Sequence, residues 1–391
     1  MVDEFRFSGV PALHFGPGVF KNAVSVVMKY GRSLLLVAGS SSFTGSGRGR
    51  GFVKELKEKG LKIDIVNVEG EPHAGFIDGV ISELRVSPPG MVLAVGGGSV
   101  LDAGKALAAM LTVEGRTWDY LEGNPEMKAH PGTRLPLIAV PTTAGTGSEA
   151  TRNAVLTTPG EPRLKRSLRH DNFVPDLAIV DPLLTTGCPP HVTAASGLDA
   201  ITQLLEALVS TGASPVTDAL AKSGLQCGIE NLERAVSEGN DINARTGMAY
   251  AAFLSGIVLS NAGLGAVHGF ASVLGGYYDI PHGVVCGTLL GAVTRVNIGK
   301  LAASEEDTAY LDKYAAAGMI VCSEKGRDRD HYLARLADEL DRMVEVLNIP
   351  RLGCYGVTAG DITSIAAETA IKNNPASLTT GDLEKILLSR L

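Results

Sequence analysis

Short apolar runs alternate with helical patterns through the first half of the chain, and this alternation constrains the fold more than any other feature. The apolar runs lie at 33–38, 61–68, 91–95 and 135–140. Helical patterns lie between them, at 52–59, 78–85 and 101–110. Buried strands separated by helices predict an α/β, Rossmann-like, doubly wound parallel sheet. Ligands of such sheets bind beyond the carboxyl ends of the strands.

The pattern changes after Asp181-Pro182, where Ala- and Leu-rich segments with helical periodicity begin. The predicted helices span about 191–211, 214–236, 240–260, 264–275, 284–297, 305–321, 329–347 and 360–371. We therefore predict an α/β domain over 1–184 and an all-helical domain over 185–391. The glycine-rich stretch 44–51 is predicted to be a surface loop.

Composition excludes several classes of protein. The 391 residues are 45% hydrophobic and 20% charged, as in an ordinary globular protein. A net charge of −7 without a basic run argues against nucleic-acid binding. No uninterrupted apolar stretch of about 18 residues predicts a membrane span, and the acidic start is not typical of a signal peptide. The cysteines at 188, 227, 286, 322 and 354 lack CxxC spacing, which predicts reduced thiols in a cytoplasmic protein.

Three consecutive glycines, Gly96–Gly98, separate a predicted strand from a predicted helix. Glycines let a pyrophosphate approach the backbone, and a helix N-terminus offers free amides. Ser99 and Asp102 fit the N-cap and the third helical position of a capping box. Taken alone, this segment is as typical of a tight turn as of a phosphate site.

A second loop after a strand, Pro141–Glu149, carries Thr142, Thr143, Thr146 and Ser148. Loops rich in hydroxyls and glycine after two strands of one sheet line the same crevice. Together the two loops predict a nucleotide site. In the second half, Asp199, His268 and His282 are ligand types that can converge on one divalent ion.

These segments, in this order, resemble the iron-containing (group III) alcohol dehydrogenase family, which is related to glycerol dehydrogenase and dehydroquinate synthase. The matching motifs are the Gly-Gly-Gly-Ser-x-x-Asp-x-x-Lys turn at 96–105, the Pro-Thr-Thr-x-Gly-Thr-Gly-Ser-Glu loop at 141–149, Asp-Pro at 181–182, Gly-x-Asp-Ala at 197–200 and Pro-His-Gly at 281–283. The resemblance covers essentially the whole chain. It implies a dinucleotide-binding domain, a helical domain, an active site in the cleft between them, and NAD(P)-dependent interconversion of an alcohol and an aldehyde or ketone.

The resemblance also implies roles for single residues. Gly97, Gly98 and Ser99 would cradle the pyrophosphate, while Thr142, Thr143 and Thr146 would contact the sugar and phosphates. Lys165 would lie near the cofactor ribose, although its basic cluster at 163–169 is also typical of a solvated hairpin. The other candidate cofactor contacts are Gly39, Ser40, Asp102 and Ser148.

Two positions depart from the family pattern of metal and proton chemistry. Asp199, His268 and His282 match three family ligands, but the fourth position, one helical turn after Asp199, is Gln203. Its amide oxygen is a weak ligand or a support for a water. Three ligands with an open position suit zinc, whereas Fe²⁺ prefers more ligands. Ser272 stands where relatives often have a histidine, so that role in proton transfer cannot be carried over.

The end of the first strand bears on the choice of cofactor. NAD-preferring relatives tend to have an acid there that binds the adenosine ribose. This chain has Gly39 followed by Ser40 and two further serines, with Arg48 and Arg50 nearby. Hydroxyls and guanidinium groups suit a 2′-phosphate, so we predict NADP(H) rather than NAD(H).

Four hypotheses follow. The first is an alcohol dehydrogenase or aldehyde reductase whose divalent ion, Fe²⁺ or Zn²⁺, polarises the substrate oxygen. The second is a metal-free reductase resembling maleylacetate reductase, in which His268, His282 or Lys165 donates hydrogen bonds instead. The others are a dehydroquinate-synthase-type lyase and a degenerate paralogue that binds nucleotide without catalysis. Many relatives pair N-terminal strands between subunits, so a homodimer is expected.

Overall fold

The first half of the chain forms a six-stranded parallel sheet, as the alternating pattern predicts. The computed structural model describes residues 4–158, 165–304, 308–322 and 324–391. The strands are β1 (Ala12–Phe15), β2 (Ser33–Gly39), β3 (Lys62–Val68), β4 (Met91–Gly96), β5 (Leu137–Pro141), β6 (Asn153–Thr157), β7 (Lys165–Arg169) and β8 (Leu177–Val180). The sheet has the order β1-β8-β5-β4-β2-β3, and β6 and β7 pair separately as an antiparallel hairpin.

Each face of the sheet buries alternate residues against a different pair of helices. These helices are α1 (Ala23–Val27), α2 (Gly47–Glu58), α3 (Ala74–Leu84) and α4 (Gly98–Met110). Leu34 and Leu36 of β2 belong to a core shared with α1 and α2. Leu35 and Val37 point the other way, into a core shared with α3 and α4. Because successive side chains of a strand face opposite sides, an unbroken apolar run is what a sheet covered on both faces requires.

The direction of strand addition reverses at β2. From β2 the chain adds β3 on one side, and then β4 pairs with the opposite edge of β2. The carboxyl ends of β2 and β4 therefore flank the point at which open α/β sheets bind ligands. Gly39 is the last residue of β2 and is followed by Ser40, and the three-glycine turn begins at Gly96, the last residue of β4.

The second half of the chain is helical, also as predicted. Its helices are α5 (Pro190–Leu208), α6 (Pro215–Ser237), α7 (Ile242–Ala262), α8 (Ala266–Tyr277), α9 (His282–Ala303), α10 (Thr308–Val321), α11 (Arg329–Val346), α12 (Ile362–Glu368) and α13 (Thr380–Leu388). Helix α9 is long and apolar enough to cross a membrane by length and composition. However, 72% of its apolar stretch is buried inside the protein, as in the core helix of a globular domain.

The chain divides into two compact units. The α/β unit comprises Ser8–Thr143 and Gly147–Thr186. The helical unit comprises Gly187–Leu391, Ala144–Thr146 and the described residues before Ser8. The division after Thr186 lies close to the boundary expected after residue 184. The sequence did not indicate that Ala144–Thr146 would group with the helices.

The prediction of a surface loop over 44–51 is wrong. Helix α2 begins at Gly47, and the side chain of Ser46 caps it by accepting a hydrogen bond from the N–H of Gly49 at 3.0 Å. A Cβ at Gly49 would lie 2.0 Å from the backbone oxygen of Phe43. This glycine therefore permits close packing rather than providing flexibility.

The predicted capping box at α4 is also wrong. Gly97 is the N-cap, and no side chain caps the helix. Ser99 lies inside the first turn, so the N-terminus of α4 has no side-chain competitor for an anion. The sequence pattern also missed β1, β8 and α13. The two strands have only four residues each, too few for a periodic signal.

Candidate functional site

Helix α5 carries three buried side chains that end in a carboxylate or an amide. Asp199, Gln203 and Glu206 are 2%, 2% and 6% exposed. Their spacing of four and three residues places them on one face of the helix. Buried polar groups destabilise a core unless they are paired, so such a row indicates a binding function.

His268 and His282 bring imidazole nitrogens to Asp199 from two other helices. His268 lies in the first turn of α8, and His282 is the first residue of α9, behind Pro281. Their Nε2 atoms lie 3.3 and 3.6 Å from Oδ1 of Asp199. Among the described residues, that Oδ1 is one of few buried side-chain atoms without a hydrogen bond. A buried carboxylate oxygen that lacks a donor and faces two imidazoles fits a bound cation.

A cysteine completes this cluster. Sγ of the buried Cys286 lies 3.7 Å from Nε2 of His268 and 3.7 Å from Nε2 of His282. The four donor atoms, including the carboxylate of Asp199, all lie within 4.8 Å of one another. Sequence reasoning treated Cys286 as one of several scattered thiols. The available signal was its position one helical turn after His282.

Glu206 orients His268. Its Oε2 accepts a hydrogen bond from Nδ1 of His268 at 2.6 Å, and its Oε1 accepts one from the backbone N–H of Val267 at 2.7 Å. A carboxylate on one ring nitrogen fixes the tautomer that leaves the other nitrogen free to bind a metal. Sequence reasoning missed Glu206, because nothing in the sequence pairs α5 with α8.

The electrostatics of the cluster favour an ionised Asp199 beside a protonated His268. Burial raises the pKa of Asp199, but the neighbouring His282 and His268 outweigh burial and hold it below its usual range. Burial lowers the pKa of His268, but Cys286, Glu206 and Asp199 together raise it well above the ordinary value. Burial raises the pKa of the Cys286 thiol to about 12. A cation that binds here must therefore displace protons from the cluster.

Gln203 and Ser272 each have a partner of their own. Oε1 of Gln203 accepts a hydrogen bond from Oγ of Ser255 at 2.8 Å, and ligation of an ion by Gln203 stays a prediction. Ser272 donates to the backbone oxygen of His268 at 3.1 Å, an ordinary contact within a helix.

Around the three-glycine turn of the α/β unit, the backbone is closely packed. A Cβ at Gly96 would lie 2.5 Å from Val100, and one at Gly97 would lie 3.3 Å from Oγ1 of Thr143. The N–H of Thr142 donates to the oxygen of Gly96 at 2.9 Å. The structure thus brings Gly97, Thr142 and Thr143 together at the carboxyl ends of β4 and β5, beside the uncapped start of α4. This arrangement can hold a phosphate.

Asp102 and Ser148 bond to each other. Oγ of Ser148 donates to Oδ1 of Asp102 at 2.5 Å, and Oδ2 of Asp102 accepts from the N–H of Val155 at 3.1 Å. The buried Lys105 donates to the oxygens of Ser148 and Asn153 at 2.8 and 2.6 Å. These side chains hold α4 to the segment 148–155, which is a structural role. A cofactor contact by Asp102 or Ser148 stays a prediction.

Other candidates are dispersed. Lys165 is the first residue of β7 and forms an ion pair with Glu71, which lies between β3 and α3. This ion pair accounts for the charge of Lys165. Ser40 is half-buried at the end of β2, and Thr146 groups with the helical unit. His73, which precedes α3, accepts a hydrogen bond from the N–H of Phe76 at 3.0 Å and caps that helix.

Comparisons with known proteins identify the family of this chain. The family model for iron-containing alcohol dehydrogenases matches residues 11–182, and the model for the C-terminal part of that family matches 193–391. The probable alcohol dehydrogenase EutG of Escherichia coli is 34% identical over 386 residues, covering 97% of this chain and 92% of that protein.

Solved structures show the same likeness. A crystal structure of 1,3-propanediol oxidoreductase superposes with a TM-score of 0.89 at 31% identity, covering 100% of both chains. Sulfoacetaldehyde reductase from Bifidobacterium kashiwanohense, solved with NAD⁺, has a TM-score of 0.84 at 25% identity and covers 99% of each chain.

The fold and these matches define an oxidoreductase that acts on alcohols. The chain belongs to the iron-containing alcohol dehydrogenase family.

Proposed function

We propose that this protein is an NAD(P)-dependent alcohol dehydrogenase or aldehyde reductase that uses a divalent ion held by Asp199, His268 and His282. The observation that supports this proposal most directly is the buried Oδ1 of Asp199, which has no hydrogen bond and faces two imidazole nitrogens. An ion bound there supplies Lewis-acid polarisation of the substrate oxygen. The chain's own part is to hold the three donors in register on α5, α8 and α9, with Glu206 fixing the ring of His268.

Cofactor binding is proposed for the α/β unit. The uncapped N-terminus of α4 and the loop at Thr142 and Thr143 would bind the pyrophosphate. The bound nicotinamide nucleotide supplies or accepts the hydride. Sulfoacetaldehyde reductase, a similar protein, was solved with NAD⁺. For this chain we propose NADP(H), because Ser40 follows β2 where an acid would otherwise repel the 2′-phosphate.

The test is activity after metal removal and reconstitution. Protein treated with a chelator should lose NADPH-dependent reduction of aldehydes, and Zn²⁺ or Fe²⁺ should restore it. Asp199→Asn should abolish both bound metal and activity. Asp338→Asn, which changes an exposed carboxylate paired with Arg295, should abolish neither. Full activity in chelated protein without bound metal would contradict the proposal.

That contrary result would favour the metal-free reductase. One observation supports this second candidate: Sγ of Cys286 lies within hydrogen-bonding reach of both imidazoles, so each ring has a partner without an ion. Imidazolium N–H groups would then donate to the substrate oxygen.

We propose a small alcohol or aldehyde as substrate, the cytoplasm as location and a homodimer as assembly. Support for the dimer comes from β1, an edge strand of the sheet in which Leu13 is 40% exposed. An apolar edge strand is available for pairing with another copy. Light scattering of the purified protein gives its mass directly, and a monomer at all concentrations would contradict this assembly.

A further inference from the structure

Cys286 is a buried nucleophilic side chain that the proposed function does not use. It is fully buried on α9, one turn after His282. Buried cysteines commonly pack against apolar side chains. Here Sγ instead contacts two imidazole nitrogens. It belongs to the same cluster of candidate ligand atoms as the carboxylate of Asp199.

We propose that Cys286 is the fourth protein ligand of the divalent ion, and that its thiolate makes the site selective for zinc over iron. This inference rests on the proposed function, because it concerns the same ion. It assigns the fourth position to a residue on α9 rather than to Gln203 on α5.

The distances between donors support a tetrahedral set. An ion bonded at about 2.0–2.3 Å to nitrogen, oxygen and sulfur in a tetrahedron holds neighbouring donors about 3.3–3.6 Å apart. In this protein Oδ1 of Asp199 lies 3.3 Å from Nε2 of His268 and 3.6 Å from Nε2 of His282. Sγ of Cys286 lies 3.7 Å from each of the same nitrogens. Two of these four distances fall within that range, and the two from Sγ exceed it by only about 0.1 Å, so the donors are arranged close to a tetrahedral set.

Chemistry favours the thiolate over the amide. Oε1 of Gln203 already accepts a hydrogen bond from Ser255. A thiolate would bring a second negative charge to a buried dication, whereas an amide brings none. Soft thiolate ligands favour zinc, and Fe²⁺ sites of the non-haem type use imidazole and carboxylate.

Cobalt titration of metal-free protein tests the assignment. Co²⁺ bound to a thiolate gives an intense charge-transfer absorption in the near ultraviolet. The wild type should show it, and Cys286→Ser should lack it while still binding Co²⁺. The Zn²⁺ affinity of Cys286→Ser should fall at least ~10-fold, since even the loss of a residue that only hydrogen-bonds to a ligand costs about 10- to 100-fold. Cys354→Ser, which removes an exposed thiol, is the matched control and should behave as the wild type.

Two further measurements cover the remaining outcomes. Circular dichroism establishes that Cys286→Ser is folded, and if it is not, zinc-edge X-ray absorption of the wild type must show one sulfur neighbour. The proposal is overturned if Co²⁺ binds the wild type without the thiolate absorption band. It is also overturned if Gln203→Ala, rather than Cys286→Ser, lowers the affinity for Zn²⁺. Failure of the wild type to bind any ion at Asp199 would instead overturn the proposed function.

Discussion

Glu206 of α5 accepts a hydrogen bond from His268 of α8, with a distance of 2.6 Å between Oε2 of Glu206 and Nδ1 of His268. The same carboxylate accepts from the backbone N–H of Val267. Glu206 therefore fixes both the position of the α8 N-terminus and the direction in which the ring of His268 points. In the proposed metal site Glu206 would be a positioning residue, because it would act on the ion only through His268.

Replacing Glu206 should weaken the metal site without removing a ligand. In Glu206→Gln the Nδ1 of His268 loses its anionic acceptor, so we expect Zn²⁺ affinity to fall ~10- to 100-fold. Competition with a chelating dye measures this change. Glu230→Gln, on the exposed face of α6, is the control and should leave the affinity unchanged. Equal affinities for the two variants would show that Glu206 has only a structural role.

How far the sequence predicts this protein depends on whether a feature is local. The apolar runs of β2 to β5 are long enough to identify the parallel sheet, and the side-chain types of Asp199, His268 and His282 are enough to nominate them as candidate metal ligands. Glu206 and Cys286 were missed because their roles depend on which helix faces meet. The prediction of a loop over 44–51, a stretch that includes the first turn of α2, was wrong because composition does not show that Gly49 packs against a carbonyl.

Lys105 should be essential to the stability of the α/β unit. Its ammonium donates to the backbone oxygens of Ser148 and Asn153 in a buried environment. Lys105→Met would remove the charged donor from these oxygens and leave them only the longer hydrogen bonds from Thr151, and we expect unfolding to become easier by about 2–5 kcal/mol. Denaturant titration followed by the fluorescence of Trp118, the single tryptophan, reports on this unit. Lys54→Met, on an exposed lysine, should stay within about 0.5 kcal/mol of the wild type.

Glu149 should make the stability of the same unit depend on pH. Burial raises its pKa from 4.5 to about 7, and Lys105 only partly opposes this shift. Between these pH values the folded protein holds a proton that the unfolded chain releases. The free energy of unfolding should therefore fall as pH rises from about 4.5 to about 7, by on the order of 3 kcal/mol from this group.

Glu149→Gln should remove that component. Its free energy of unfolding, measured by the same fluorescence titration at several pH values, should vary less between pH 5 and 7 than that of the wild type. Burial lowers the pKa of Lys105 to about 8, which is still above this pH window. Titration of Lys105 therefore contributes to the slope only at higher pH. Parallel pH profiles of the two proteins would contradict the assignment.

Two helical glycines should respond in opposite directions to the same substitution. A Cβ at Gly104 of α4 would lie 2.6 Å from the Cβ of Ala94, so Gly104→Ala should destabilise the protein by about 1–3 kcal/mol. Gly79 of α3 is exposed with nothing within 4 Å, so Gly79→Ala should stabilise it by up to about 1 kcal/mol. Thermal unfolding of both variants checks the prediction, and a shift of the same sign in both would refute it.

Ser40 should control the choice between NADPH and NADH. A carboxylate at the end of β2 repels a 2′-phosphate and accepts a hydrogen bond from a 2′-hydroxyl. Ser40→Asp should therefore raise the Michaelis constant for NADPH at least ~10-fold, equivalent to about 1.4 kcal/mol, while that for NADH falls or stays constant. Ser25→Asp places the same charge at the exposed position of the otherwise buried α1 and should change neither constant. If the wild type already has a higher kcat/KM with NADH, or if both variants respond alike, β2 does not select the cofactor.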